Sequence, residues 1–590
     1  MKAFVLATAL FIPVSLYAAD TLPPLLPWDG QSVSLIQRDG AWVTPAEMTD
    51  LTQSPNYDDT VAFLQRLVSA SPMLAMESLG KSPQGRDIWL VKASKTPAHI
   101  GQHGRPVVLI QAGIHSGEID GKDAGLMLLR DITQGGKAEL LDHVDVLFVP
   151  MLSVDAHERR SPHSRMNQRG PEIQGWRNTS QNLNINRDYG KLDTPELRVL
   201  VGAINTYRPD LYIDIHVTDG EDYQYDVTYG FNEPFASHSP KSAQWLANRF
   251  RPAIDVALTV QGHIPGPLVF GIDPLNFAKG LNGWTAPVRF SNGYGDTRHL
   301  PTVLVENHSL KPFKQRVLGT YIFLQETLKL LAREGAELQL AKQDDEQARP
   351  ATQVLLYKQA AEPSYIAFKG MRYQVEQSPI SLGPYVKWLG EPQNYDKLPV
   401  YWEKIPALEV TVPKAYWIPP QYQDVIERLA VHGVVMTRHD KAVSLQLQQL
   451  TANQVEFASK PVEGRFPIRA TFNTGWVHTT LPRGAVRIST DQPLGRLAVA
   501  LLEPQSPDSF FQWGFFASMF ERTEYFESYA LLPWIDDQLQ NNRQLATDFA
   551  LAQQQDATLQ TDGKKRLDWF YQRSPFYDQS YLKYPVFIER

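Results

Sequence analysis

No cysteine occurs among the 590 residues. Disulfides, thiolate metal sites, iron–sulfur clusters and a cysteine nucleophile are therefore excluded, and any metal must be held by His, Asp or Glu. Basic excess is missing as well: 57 Lys and Arg stand against 64 Asp and Glu, a formal charge of −7, so no nucleic-acid partner is expected. The chain also lacks a GxSxG elbow, a GxxxxGK[ST] loop, an HExxH helix and a GxGxxG turn, which leaves serine-hydrolase, P-loop and dinucleotide chemistry without support. His157-Glu158 is followed by arginines, not by the second histidine that an HExxH site requires.

Long apolar runs are confined to the start. MKAFVLATALFIPVSLYAAD places Lys2 before an apolar stretch interrupted by Pro13 and followed by Ala18 and Ala19, the layout of a secretory signal cleaved within residues 1–19. Beyond it no stretch approaches 18 apolar residues, so the mature protein is expected without a stable membrane anchor, exported to a bacterial periplasm or secreted.

What is present is ordinary globular composition: 43% hydrophobic, 21% charged and 11% aromatic residues, in a chain long enough for several domain-sized units. From about residue 50 to 335, β-branched runs such as PVVLIQAG, VDVLFVPML and LYIDIHV alternate with amphipathic stretches. That rhythm predicts an α/β fold with a buried, mostly parallel sheet flanked by helices. RVLGTYIFLQETLKLLAREG reads as a closing helix that stops at Gly335, and the polar AKQDDEQARP after it as a boundary. The predicted layout is thus a catalytic domain over 20–345, a β-rich accessory domain over 351–500, and an aromatic-rich region over 501–590 whose rings pack inward.

Three strand-like runs end in groups capable of chemistry. VVLIQAGIHSGEIDG carries His115 and Glu118 in one glycine-bearing turn, LYIDIHV ends near His216, and PTVLVENHSLK ends near Glu306. Functional groups collect at such strand ends in open α/β sheets. Two His and one Glu suit a single zinc ion with a fourth position open for water, and Glu306 is placed to act as a general base. Arg177, Asn186 and Arg187 sit in GWRNTSQNLNINRDY, which without its neighbours reads as a solvated loop.

Together these segments resemble the M14 family of zinc carboxypeptidases: HSGE at 115–118, WRNTSQNLNINR at 176–187, His216, and VLVENHSLK around Glu306. The resemblance spans roughly residues 50 to 335. It implies a zinc-carboxypeptidase-like fold, one Zn2+ held by His115, Glu118 and His216, and Glu306 as the catalytic glutamate. It further implies that Arg177 polarises the scissile carbonyl, that Asn186 and Arg187 clamp the terminal carboxylate, and that the substrate is a peptide with a free C-terminus. Three positions depart from the common pattern. Gly117 stands where many members have an arginine, Asn184 where many have an aspartate behind a zinc histidine, and the capping tyrosine is matched only by Tyr294, between two glycines of a loop expected to move. A zinc amidase or deacylase on cell-wall peptides or acylated amino acids would keep the same site. A non-catalytic peptide-binding protein would have no use for Glu306.

Overall fold

The computed structural model describes residues 22–522 and 524–590, so the predicted export signal lies outside the described residues. The chain forms two compact units, one comprising the residues up to Ala348 with Leu356–Glu409, the other Arg349–Leu355 with Val410–Arg590.

The first unit is built on an eight-stranded mixed sheet. Its strands are β1 (Leu74–Lys81), β2 (Asp87–Ala93), β3 (Val107–Ala112), β4 (Asp145–Val149), β5 (Leu211–Val217), β6 (Val227–Gly230), β7 (Pro265–Pro267) and β10 (Thr302–Asn307), in the order β1-β2-β4-β3-β5-β10-β6-β7. The central four, β4-β3-β5-β10, are mutually parallel. Nearly every residue of these four strands is buried, which is why they read as unbroken Val, Ile and Leu runs rather than alternating ones.

Because side chains alternate across a strand, Tyr212, Asp214 and His216 of β5 share one face with Thr302, Leu304 and Glu306, their register partners on β10. The opposite face, with Ile215 and Ala112, is covered by α2 (Asp120–Gln134), whose Gly121 lets the helix approach both side chains. Helices α1 (Tyr57–Ala70), α3 (Val154–Glu158), α4 (Pro195–Tyr207), α5 (Pro240–Trp245), α6 (Arg251–Val260), α7 (Ser291–Thr297) and α8 (Phe313–Gln347) complete this part of the unit. α2 and α8 pack on each other and are tied by a buried ion pair, Arg316 Nε to Asp120 Oδ2 at 2.9 Å.

Here the structure corrects the expected helix end. α8 continues to Gln347, twelve residues past Gly335. Gly335 is not a cap: a Cβ there would lie 2.3 Å from Pro106 Cγ, so it marks a close approach to the segment that carries Pro106. The polar stretch that looked like a linker is rich in Ala, Gln, Lys and Glu, which carry the helix onward.

Residues expected in the β-rich accessory domain divide between the units. β8 (Phe270–Gly271) and β9 (Leu281–Asn282) form a four-stranded sheet with the long hairpin β12 (Ser364–Gln377) and β13 (Pro384–Tyr401). That sheet has its own small core of Tyr225, Phe277, Leu281, Phe368, Leu398 and Val400, so 356–409 lies with the first unit. β11 (Thr352–Gln359) pairs with β14 (Glu403–Thr411) as a ribbon.

The second unit holds a six-stranded sheet of β15 (Ala415–Ile418), β16 (Thr437–Arg438), β17 (Val443–Phe457), β18 (Ile468–Leu481), β19 (Val486–Ser489) and β20 (Phe587–Glu589). The aromatic run after 509 is inside it: Phe510, Phe511, Trp513 and Phe516 are buried. Most of the remainder is helical, with Leu531, Ile535, Phe570 and Tyr571 forming a further cluster. No helix of the described residues is long and apolar enough to cross a membrane.

Candidate metal centre and cleft

β3 ends at Ala112, and Gly113, at φ +69°, turns the chain out of the sheet where a Cβ would press on Met151 Cα. The next residues form a tight turn in which the Glu118 amide donates to the His115 carbonyl at 2.8 Å, so both side chains project to one point. His216 reaches the same point from the end of β5. One ligand atom from each of His115, Glu118 and His216 lies within 4.8 Å of the others, and all three residues are buried.

The outer contacts fix the imidazoles. His115 Nε2 lies 2.9 Å from Asn184 Oδ1, which also accepts the Asn186 amide at 3.0 Å. His216 Nε2 lies 3.0 Å from Asp214 Oδ2. Both outer partners are acceptors, so each Nε2 carries the hydrogen and each Nδ1 turns a lone pair inward. The two Nδ1 atoms are 3.3 Å apart, and Glu118 Oε2 is 3.1 and 3.0 Å from them. Three converging donors without a shared proton suit a cation such as zinc. Burial opposes protonation of His216, but Asp214 and Glu118 hold its imidazole well above the usual pKa. Burial lowers that of His115.

Asn184 thus occupies the position expected of a charged partner behind His115, while the carboxylate stands behind His216 as Asp214. A carboxylate behind a ligand imidazole raises its basicity and fixes its ring. Asp214→Asn is expected to weaken zinc binding about 10- to 100-fold, measured by competition with a chromogenic chelator. Unchanged affinity would show that the ring is held by packing alone.

Glu306 lies beside His216 in register on the adjacent strand. Burial, opposed by His216 and aided by Glu118 and Asp214, pushes its carboxyl up to about 8. The cleft in front of it has a volume of about 410 Å³ and is lined by His115, Glu118, Arg177, Asn186, Arg187 and Glu306, together with Asp219, Glu221, Tyr223, Phe270, Trp284 and Phe290. Arg177 Nη1 is 3.3 Å from Glu118 Oε1. Asn186 and Arg187 stand on a short 3-10 turn, Ile185–Arg187. The Arg187 guanidinium lies 4.2 Å from the centre of the Phe290 ring, and the buried Asn186 Oδ1 has no hydrogen-bond partner among the described residues.

Tyr294 is not at this cleft. It is fully buried in α7, where its hydroxyl accepts from Arg298 Nη1 at 2.8 Å. The flanking glycines serve packing rather than movement: Cβ atoms on Gly293 and Gly295 would lie 2.2 Å from Pro287 O and 1.9 Å from Thr302 Oγ1. The aromatic residues lining the cleft upstream of Glu306 are Tyr223, Phe270, Trp284 and Phe290. None of them stood out in the sequence.

A buried His–Glu–His cluster at the ends of the parallel strands of a mixed α/β sheet can hold a hydrolytic metal ion. Residues 60–259 match the family model described as zinc carboxypeptidase, peptidase M14. Residues 60–259 thus form a peptidase M14 zinc carboxypeptidase domain, the domain of a metallocarboxypeptidase hydrolase. The matched span holds His115, Glu118, Arg177, Asn186, Arg187 and His216, while Glu306 lies beyond it. Carboxypeptidase 2 of Trichophyton tonsurans is 23% identical over 509 residues, covering 80% of this chain and 86% of that protein. A zinc carboxypeptidase of Saccharothrix mutabilis subsp. capreolus is 31% identical over 109 residues, 18% of this chain and 25% of that one. Among solved structures, carboxypeptidase A from Helicoverpa armigera aligns over 49% of this chain and 75% of its own at 18% identity, with a TM-score of 0.37.

Proposed function

We propose that the protein is an exported carboxypeptidase that removes C-terminal residues from peptides with one zinc ion held by His115, Glu118 and His216. The observation that carries this reading is the convergence, in one cleft, of three buried ligand atoms, a carboxyl on the strand beside His216, and the Arg177 and Asn186–Arg187 groups. When bound, the ion supplies electrophilic activation of the scissile carbonyl and of the attacking water.

The chain's own residues supply the rest. Asn186 and Arg187 receive the terminal carboxylate, for which a guanidinium offers two parallel donors. Arg177 stabilises the negative charge that develops on the carbonyl oxygen. Glu306 takes a proton from the water as its oxygen bonds to the carbonyl carbon, and returns it to the amine nitrogen as the C–N bond breaks. Export is supported by Lys2, the apolar run behind it, the alanines at 18 and 19, and the absence of cysteine.

The test is a peptide library, free and amidated at the C-terminus, incubated with the mature protein with and without a zinc chelator and read by mass spectrometry. Chelator-sensitive loss of single C-terminal residues from the free peptides alone is expected. Cleavage of amidated or acylated substrates would favour an amidase, and no cleavage by zinc-loaded protein would favour a binding role.

A further inference from the structure

Glu118 divides its two oxygens between different neighbours. His115 Nδ1 lies 3.1 Å from both. His216 Nδ1 and the Val217 amide meet only Oε2, at 3.0 and 3.1 Å. Two guanidinium groups meet only Oε1: Arg165 Nη1 at 2.9 Å and Arg177 Nη1 at 3.3 Å.

The two arginines are not equivalent. The Arg177 side chain is 38% exposed and lines the cleft, whereas that of Arg165 is 8% exposed. Arg165 is also built into the turn that carries Glu118. Its Nε donates to Gln168 Oε1 at 2.6 Å, and Gln168 Nε2 donates to the Gly117 carbonyl at 2.8 Å. Gln168 therefore joins Arg165 to the residue preceding the ligand. At Gly117 itself a Cβ would lie 2.1 Å from Arg165 Cδ, and 3.1 Å from the Gly175 carbonyl. The Arg165 stem fills the place a side chain at 117 would occupy.

We propose that Arg165 is a positioning residue that keeps Glu118 a one-oxygen metal ligand, and that Gly117 is there to seat it. The proposal rests on the reading of His115, Glu118 and His216 as a metal site. With Oε1 committed to a buried guanidinium whose other contacts are Gln168 and, at 3.5 Å, the exposed Asp219 carboxylate, Oε2 is left to the metal. Two imidazoles and one oxygen then leave a position open for water, the ligand count of a hydrolytic zinc site. Arg177, sharing Oε1 at the longer distance, can turn to the substrate while Arg165 stays and keeps the carboxylate from swinging.

The experiment uses the full-length protein loaded with zinc for X-ray absorption and with cobalt for visible spectroscopy, in wild type, Arg165→Gln, Arg165→Lys and Gly117→Ala. Wild type and Arg165→Lys are expected to show one carboxylate oxygen at about 2.0–2.2 Å beside the two imidazoles. Arg165→Gln and Gly117→Ala are each expected to gain a second carboxylate oxygen, with the weaker cobalt bands of a five-coordinate ion. Adding Gly117→Ala to Arg165→Gln should change nothing further, because both remove the same contact. If Arg165→Gln fails to fold, Gly117→Ala carries the measurement, since it adds one methyl group. Unchanged coordination in Arg165→Gln and Gly117→Ala, with wild type binding zinc normally, would overturn the role of Arg165 alone. A wild-type protein that takes up no zinc would overturn the metal reading and the proposal with it.

Discussion

Glu306→Gln is expected to keep zinc bound and to lower kcat by about 10²- to 10⁴-fold, the contribution of a positioned general base. The substitution preserves shape and removes only the capacity to take and return a proton. The ligand atoms lie on other segments, so zinc content by atomic emission should match wild type. Loss of zinc, or a near-normal rate, would remove Glu306 from the chemistry. The same variant carries an opposite effect on stability. Burial, aided by the neighbouring carboxylates and opposed by His216, pushes the Glu306 carboxyl up to about 8, whereas an unfolded chain would hold it near its ordinary value. Between those values the folded state binds the extra proton, so stability falls as pH rises from about 4.5 to 8. The metal-free Glu306→Gln protein should therefore melt higher than metal-free wild type at pH 8 and alike at pH 4. The carboxyl keeps some access to cleft water, which limits the gain to roughly 1–2 kcal/mol. Equal melting temperatures at pH 8 would show that the cleft solvates Glu306 fully.

These two effects have one origin. A carboxyl that ends a buried strand is costly to ionise until a cation arrives beside it, and the same placement makes it a base aimed at the cleft. That placement was legible in the sequence, because PTVLVEN and LYIDIHV are strands covered on both faces and polar residues at their ends stand out against Val, Ile and Leu. Asp214 was legible by the same logic and was missed: it interrupts LYIDIHV two residues before His216, and period two puts both on one face. Arg165 left no comparable trace, since a polar loop shows nothing of which side chain will fold back over Gly117. Gly335, Gly293 and Gly295 misled for a related reason. A glycine in sequence reads as a stop or a hinge, but each of these admits a neighbouring atom where a Cβ would collide. The division of 356–409 from 410–590 was also hidden, because β12 and β13 join β8 and β9 from far earlier in the chain, and strand partners at that distance are not written in local pattern.

Arg187→Ala should lower kcat/KM for peptides with a free C-terminus by about 10²- to 10³-fold, the loss of two charge-assisted hydrogen bonds, and should leave slow cleavage of amidated peptides nearly unchanged. The side chain is held for this task from two sides: Nη1 donates to the Asn186 carbonyl at 2.7 Å and the guanidinium lies on the Phe290 ring. Both contacts hold the fork at the cleft that Arg187 lines. Arg187→Lys keeps the charge but not the two parallel donors, so it should recover only part of the loss, mostly in KM. The measurement is a pair of kcat/KM values, free acid and amide of one peptide, for wild type and both variants. Equal losses on acid and amide would mean that Arg187 supports the fold of the cleft rather than reading the terminus, and the carboxylate clamp would have to be sought elsewhere among the cleft residues.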